Sequence, residues 1–280
     1  MTQWKYYNHA IIPDQAPHLP VETSKIDDGS IFDDKMGSSR AMLARWTEGW
    51  DLPQKTHWWY IICKSPFKVE ALSKNSRKNI RSSLRKCVVC LINPQDYADD
   101  LWRVYNEAAL RYKTFYNRVN KETFMQELLS DNREYWGGFI AGTSQLIGYK
   151  IVTVNQEYAE FNVSKYSTPY LKLRVSDALD YTCLDYYLNQ QHKTYVLSGS
   201  RTVSHITNVQ NYNIEHFNFK KAYCKLHIKY RPDFEIFIKF LYPFRKFLKY
   251  IDFCGPVHHL YAVLQMEEIC RADKGVTCTD

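Results

Sequence analysis

The chain has 280 residues, 45% hydrophobic and 24% charged, the proportions of a folded globular protein, and its 10 Gly and 10 Pro exclude collagen-like, linker-rich and low-complexity architectures. Thirty-seven Lys and Arg against 30 Asp and Glu leave a net charge of +7, which favours anionic partners such as nucleotides, CoA, tRNA or a lipid surface and excludes a histone-like excess. The start, Met1-Thr2-Gln3-Trp4-Lys5, lacks a basic and then apolar leader, and the longest wholly apolar run, Trp58 to Cys63, is far too short to span a bilayer, so a cytoplasmic protein without a transmembrane helix is expected.

Residues 1–63 read as short strands joined by Pro-bearing loops, ending in a strand over 58–63. From Leu72 the character changes. The stretch LSKNSRKNIRSSLRK carries six basic residues and no acid between Lys74 and Lys86, with Ser73 as N-cap and Leu72, Ile80 and Leu84 as its few apolar contacts. On a helix Lys74, Lys78, Arg81 and Arg85 form one positive stripe with Arg77 beside it. Such a stripe is either a solvated face or a phosphate or tRNA contact; anion affinity is expected of it, and sequence-specific reading of DNA is not.

An apolar strand follows over 87–92, then helices over 96–112 and 121–129, with Leu101, Val104, Tyr105 and Ala108 spaced three and four apart. Strands over 135–141 and 146–154 flank the hairpin signal Gly142-Thr143-Ser144-Gln145, and 158–164 completes an antiparallel meander. Strict alternation would put Ala159, Phe161 and Val163 on one face of that strand and Tyr158, Glu160, Asn162 and Ser164 on the other, a polar face able to line a cleft. The strongest helical pattern covers 172–191, through Val175, Ala178, Leu179, Thr182, Cys183, Tyr186 and Tyr187. A short strand over 194–198 ends at Gly199, a helix covers 205–217, and a strand over 221–230 closes at Pro232. In 234–251, Phe237, Phe240, Leu241, Phe244, Phe247, Leu248 and Ile251 recur at helical spacing among Lys239, Arg245, Lys246 and Lys249. That stripe docks either on its own domain or on a membrane surface, and Pro243 interrupts it.

Eight cysteines are scattered along the chain and are expected to be reduced, buried filler. Cys87 and Cys90 have C-x-x-C spacing, but on a strand they face opposite sides and no second pair follows, while Cys254 with His258 and His259 makes no better set, so no metal site is expected.

The element order over 87–230, β-α-α-β-β-β-α-β-α-β, resembles the topology of the GNAT superfamily of N-acyltransferases. LSKNSRKNIRSSLRKC (72–87) looks like the basic stretch before the acyltransferase half of FemAB-like proteins, and YVLSGSRTVSHITNVQNYNIEHFNFKKAYCKLHIKY (195–230) is similar to the C-terminal segment of bacterial GNAT-like proteins. HFNF (216–219) stands where GNAT proteins carry a short segment ending in Gly-Phe. The resemblance covers half to three quarters of the chain. It implies an α/β fold: a mixed, mainly antiparallel central sheet with helices on both faces, N-terminal strands over 1–71, a transferase domain over 72–232 and a C-terminal helical extension over 233–280.

It also implies a site. The strands over 158–164 and 194–198 would splay apart, and their unpaired backbone would hold an acyl donor, acyl-CoA in most GNAT proteins and aminoacyl-tRNA in some FemAB-like ones. Asn162, Val163, Ser164, Ser198 and Gly199 would line that cleft, a helix starting near Lys172 would aim its amides at a pyrophosphate, and Arg201 would clamp a phosphate or carboxylate. Two departures from the family pattern stand in the text. Ser164 to Lys172 contains no glycine where GNAT proteins carry a Gly-rich turn, and Ile214 occupies the place of the usual tyrosine acid, with Tyr212 the nearest tyrosine. Glu160 as base, His205 as proton carrier and Tyr212 as acid are the candidate catalytic residues. The expected acceptor is an amine or hydroxyl on a small or sugar-linked molecule, with tRNA and a peripheral membrane contact as candidate partners; the alternative is a non-catalytic anion-binding or membrane-surface module.

Overall fold

The computed structural model describes residues 1–7, 9–33, 41–111, 118–128, 133–203, 208–248 and 255–274. In chain order the elements begin with β1 (Trp4–Tyr7), β2 (Ala10–Pro13), α1 (Ser24–Asp27), β3 (Leu43–Glu48), β4 (Trp58–Lys64) and α2 (Lys74–Leu84). They continue with β5 (Cys87–Ile92), α3 (Ala98–Ala109), α4 (Lys121–Glu127), β6 (Arg133–Ile140), β7 (Leu146–Val154), β8 (Tyr158–Tyr166) and α5 (Val175–Leu184). The last are β9 (Tyr195–Ser200), α6 (Val209–Phe217), β10 (Lys220–Tyr230), α7 (Pro232–Leu241), α8 (Arg245–Leu248) and α9 (Gly255–Lys274).

The chain divides into two compact units, one of Met1–Tyr60, Ser200–Ile206 and Lys221–Asp280, the other of Ile61–Gly199 and Thr207–Lys220. In the first, β1 and β2 pair antiparallel, β2 and β3 parallel, and β3 and β10 antiparallel. Residues 221–230, read from the sequence next to the transferase strands, thus lie with the N-terminal ones. Alternate residues of β10, Ala222, Cys224, Leu226 and Tyr230, are buried. Cys224 and Leu226 pack with Trp58 against Met266, Ile269 and Cys270 of α9. Leu43, Tyr230, Ile238 and Leu264 form a second cluster, joined by Phe234, Leu241 and Leu248. The docking side of α7 and α8 is therefore this set. Phe237, Phe240, Phe244 and Phe247 of the predicted stripe stay exposed, Phe240 at 70%. Pro243 sits in a 3-10 turn between the two helices, and Ile251 lies outside the described residues.

The second unit is a five-stranded sheet, β5 to β8 antiparallel in sequence order and β9 parallel to β8. Helices cover both faces. On one, Leu101, Val104 and Tyr105 of α3 and Phe124 of α4 pack on Tyr135, Tyr149 and Ile151. On the other lies α5, whose Val175 comes close because Gly138 and Gly148 oppose each other across β6 and β7. A Cβ on Gly138 would stand 2.5 Å from Val175 Cγ2. After α5 the chain widens into a π-helical turn over Asp185–Gln190 instead of the continuous helix expected to 191. The turn accompanies the burial of Tyr187, whose hydroxyl donates to Glu134 and accepts from Trp136 Nε1 at 2.8 Å.

Helix α2 starts at the predicted cap: Ser73 Oγ accepts from the Ser76 N–H at 3.1 Å. Its buried side is Ser76, Ile80 and Ser83, while Leu84 is 39% exposed and is not part of the docking face. Lys74, Lys78, Arg81 and Arg85 lie exposed.

Candidate active site at the β8 and β9 splay

Strands β8 and β9 pair only at Tyr158↔Tyr195, Ala159↔Val196 and Glu160↔Leu197, and both strands continue beyond the last pair. From Phe161 and Ser198 onward their backbones leave each other, so the second unit presents an edge of strand inside its own sheet. The other edge of β8 stays paired to β7 as far as Tyr166.

A β-bulge shapes this region. The register with β7 runs Ile151↔Val163 and then Val152↔Phe161, so Asn162 is the extra residue. The bulge breaks the alternation that the sequence suggested. Val163 joins the α3-side cluster, whereas Ser164 comes round to the α5 side with Phe161, where Lys150 Nζ donates to Ser164 Oγ at 2.9 Å and sits 4.0 Å from the Phe161 ring centroid. Glu160, opposite Thr153, and Asn162, whose Oδ1 accepts from Thr153 Oγ1 at 2.7 Å, remain on the α3 side. Glu160 and Ser164 therefore do not share a polar face, as strict alternation had required.

The α5 side holds a buried polar chain. Lys150 Nζ and Asp180 Oδ1 are 2.6 Å apart, their side chains 3% and 6% exposed. Burial raises the Asp180 carboxyl from its ordinary range, against the pull of Lys150. One helical turn earlier Asp177, also buried, accepts from the Tyr212 hydroxyl of α6 and lies 3.5 Å from Arg174 Nη1. Burial first, and then the hydrogen bond to Asp177, push the Tyr212 phenol well above its usual range, so it stays protonated. The Tyr212 ring packs on His216, whose Nδ1 is 3.2 Å from Ser76 Oγ. Buried Asn213, next to Tyr212, donates to Ser198 Oγ at 2.9 Å where β9 departs from β8.

The N-terminus of α5 differs from the expected phosphate cradle. Helix α5 begins at Val175, after a 3-10 turn over Thr168–Leu173 that contains Pro169 and the exposed Lys172. Arg174 precedes it in the left-handed region with φ 60°, and the Asp177 N–H is already bonded to the Arg174 carbonyl at 3.0 Å. The segment leaving β8 is tied down at Ser167, whose N–H donates to the Ile147 carbonyl at 2.8 Å and whose hydroxyl donates to Glu107. A carboxylate thus occupies the first turn of α5, where the helix dipole favours negative charge.

Of the other predicted residues, Gly199 takes φ 76°, with nothing within 4 Å of an added Cβ, and β9 runs through it to Ser200. Arg201 belongs to the first unit, 4.7 Å above the Trp59 ring and bonded to the His57 carbonyl. His205 lies outside the described residues. Sequence reasoning missed Lys150, Asp177, Asp180 and Asn213. The signal was present for three of them: a lysine inside the apolar strand LIGYKIVTV, and two aspartates inside the apolar helix VSDALDYTCL.

The six described cysteines are free thiols, with burial pushing Cys63, Cys224 and Cys270 up to about 12. Among the described residues no group of three or more His, Cys, Asp or Glu could hold a metal ion, and no helix is long and apolar enough to cross a membrane.

No protein-family model matches the sequence, and no curated protein matches it. Solved structures do. The C-terminal domain of a "Putative Lysylphosphatidylglycerol Synthetase" from Agrobacterium fabrum is similar with TM-score 0.52 and 12% identity, over 84% of this chain and 82% of that chain. FemX is similar with TM-score 0.48 and 6% identity over 59% of each chain. A tandem GNAT protein from the clavulanic acid biosynthesis pathway is similar with TM-score 0.44 and 12% identity, over 79% of this chain and 75% of that chain. The fold is a mixed α/β fold like that of the Agrobacterium fabrum domain, with the antiparallel meander, the parallel β9 and the splay between them in the second unit.

Proposed function

We propose that the protein is an acyl-group transferase that moves an acyl or aminoacyl group from an activated ester to an amine or hydroxyl of a small or sugar-linked acceptor. The observation that carries this reading is the splay: two parallel strands part after Glu160 and Leu197, leaving β8 backbone able to hold an extended donor as an added strand would. Beside it, the protonated Tyr212 hydroxyl donates a hydrogen bond to buried Asp177, which leaves the phenol oxygen free to accept from an incoming N–H or O–H. In the proposed step the acceptor attacks the donor carbonyl while its proton passes to Tyr212 and the phenol proton to Asp177. A backbone N–H at the Asn162 bulge stabilises the tetrahedral oxyanion; as the intermediate collapses, the proton held by Asp177 returns to Tyr212 and the Tyr212 proton passes to the departing ester oxygen, which leaves as the alcohol.

The donor that fits this geometry better is aminoacyl-tRNA. The α5 N-terminus, where the pyrophosphate of acyl-CoA would sit, already carries Asp177 and spends its amide on Arg174, while exposed Lys74, Lys78, Arg81 and Arg85 offer a stripe for a polyanion. The fold likeness to a lysylphosphatidylglycerol synthetase domain is in keeping with aminoacyl transfer. Acyl-CoA is the competing donor.

The test is titration with bulk tRNA and with CoA at two salt concentrations, followed by transfer assays with aminoacyl-tRNA and acetyl-CoA. Tyr212→Phe and Asp177→Asn are expected to lower transfer by about 100-fold or more. Replacing Lys78, Arg81 and Arg85 by Gln should flatten the salt slope for tRNA. Tighter binding of CoA than of tRNA reverses the donor, and transfer from neither leaves the non-catalytic module.

One observation favours a membrane-peripheral setting. Ile236, Phe237, Phe240, Phe244 and Phe247 are exposed within twelve residues that also carry Lys239, Arg245 and Lys246. Co-sedimentation with anionic but not neutral vesicles, lost on Phe240→Ser with Phe247→Ser, tests it.

A further inference from the structure

The first unit contains a cleft of about 120 Å³ with no part in the chemistry above. Its floor is β3 and β4, which contribute Arg45, Trp46, Thr47, Trp58 and Tyr60, with Leu226 of β10 beside them; the loop over 15–21 forms its rim. That loop is held in shape by Gln15 Nε2, which donates to the carbonyls of Leu19 and Pro20 at 3.3 and 2.9 Å.

Arg45 is the unusual member. Its guanidinium is largely withdrawn from water, and among the described residues its hydrogen bond is to Met266 Sδ at 3.4 Å, a weak acceptor. The groups that act on its charge are Tyr60 and Tyr7, with no carboxylate between them, and burial lowers its affinity for the proton from the usual value. A guanidinium remains charged under these conditions, and a part-buried charge without a counter-ion is costly. Thr47 Oγ1 and Tyr60 Oη, 3.5 Å apart, add hydroxyls to the same cleft. Trp58, which also lines it, carries a buried indole N–H without a partner among the described residues.

We infer that this cleft is a binding site for a small carboxylate with an apolar body, the carboxylate on Arg45 and the body against Trp46, Trp58 and Leu226. The planar guanidinium fork matches a carboxylate in bidentate geometry. The apolar walls exclude strongly hydrated inorganic phosphate, which needs more donors than the cleft supplies. A volume of about 120 Å³ sets the size, since an apolar cavity of about 150 Å³ holds a benzene ring.

The experiment is ligand-observed NMR and calorimetry on the full chain with benzoate and isobutyrate, using benzamide, isobutyramide and inorganic phosphate as controls. At least one carboxylate should bind saturably, at least tenfold more tightly than its amide and than phosphate, and Arg45→Gln should weaken it at least tenfold while Arg45→Lys weakens it less. Thermal stability of the free protein should be unchanged or raised in Arg45→Gln, because the variant removes a part-buried charge that no carboxylate among the described residues pairs. Absence of saturable carboxylate binding, equal binding of acid and amide, binding indifferent to Arg45→Gln, or a free protein strongly destabilised by that substitution would each overturn the inference. Leu226→Phe, which fills the cleft and keeps Arg45, should also abolish binding, and retained binding would count against this location. These readouts are independent of acyl transfer.

Discussion

The two faces of the second unit's sheet are built by different rules. On the α3 side, Leu101, Val104, Tyr105, Phe124, Tyr149 and Ile151 close an apolar cluster, with the Nζ of buried Lys165 lying 5.6 Å from the Tyr105 ring centroid. On the α5 side, residues one place away along the same strand meet Lys150, Asp177, Asp180 and Tyr212 in a buried polar chain. Tyr149 and Ile151 face one environment and Lys150 between them faces the other. An apolar pair in place of Lys150 and Asp180 would serve stability as well or better, because two buried charges cost more in desolvation than their attraction returns. The α3 side is what a core requires, whereas the α5 side carries groups whose use has to be sought in geometry and chemistry.

Breaking the charge pair is the severest test of that contrast. Lys150→Met strands the Asp180 carboxylate and is expected to cost about 3–5 kcal/mol by urea unfolding, while Lys150→Met with Asp180→Leu recovers most of the loss. A single variant as stable as the parent would show that the two charges are not energetically coupled. Leu101→Ala, at a fully buried position of the α3 side, is expected to cost about 3 kcal/mol through the cavity it leaves. The two variants separate at the level of function: assayed well below its melting temperature, Leu101→Ala should keep the parent's transfer rate, and loss of transfer in both would erase the distinction between the faces.

Much of this was legible in the sequence, and what was not has physical reasons. The meander, the cap at Ser73 and the short parallel strand follow from period and turn residues, and the strands were placed to within a residue or two at most ends. The face of Ser164 was not legible, because the bulge at Asn162 inserts one residue between Phe161 and Val163 and reverses every side chain beyond it. The π turn after Leu184 was also missed, since Tyr186 and Tyr187 continue the apolar pattern in either geometry. In α7 and α8 the exposed phenylalanines and the docked Phe234, Ile238, Leu241 and Leu248 are alike in hydrophobicity, so periodicity alone mixed the two sides: Leu241 and Leu248 of the predicted stripe pack inward and its four phenylalanines do not. The polar chain escaped because Lys150, Asp177 and Asp180 read as interruptions of apolar elements, and only a fold could bring them together.

Alkaline titration sharpens the comparison at a smaller scale. Tyr187 and Tyr212 on the α5 side have phenols held well above the usual range, by burial first and then by the carboxylates they bond. Their folded-state pKa values exceed the unfolded value near 10, so the stability each contributes is complete below about pH 10 and falls as pH rises beyond it. Between pH 10 and 11 each contributes a loss of at most about 1.4 kcal/mol. Tyr212→Phe should remove its share of that slope, measured as urea stability at the two pH values. An identical slope in the variant would mean that Tyr212 ionises as freely in the folded protein as in the unfolded chain.

The smallest effect concerns what holds the α5 side in place. Ser73 caps α2 through the Ser76 N–H and also donates to Ser76 Oγ at 2.9 Å, and Ser76 Oγ in turn meets His216, on which the Tyr212 ring packs. One hydroxyl therefore serves the helix and the end of the polar chain. Ser73→Ala removes both contacts and is expected to cost about 1 kcal/mol, the usual worth of such a cap. Ser73→Asp keeps an oxygen for the Ser76 N–H and places negative charge at a helix N-terminus, so it should restore the stability; it cannot donate to Ser76 Oγ. Transfer separates the two roles. Stability regained without the parent's transfer rate would place α2 within the polar chain that positions Tyr212, while recovery of both would make it a packed support whose basic outer face alone concerns function.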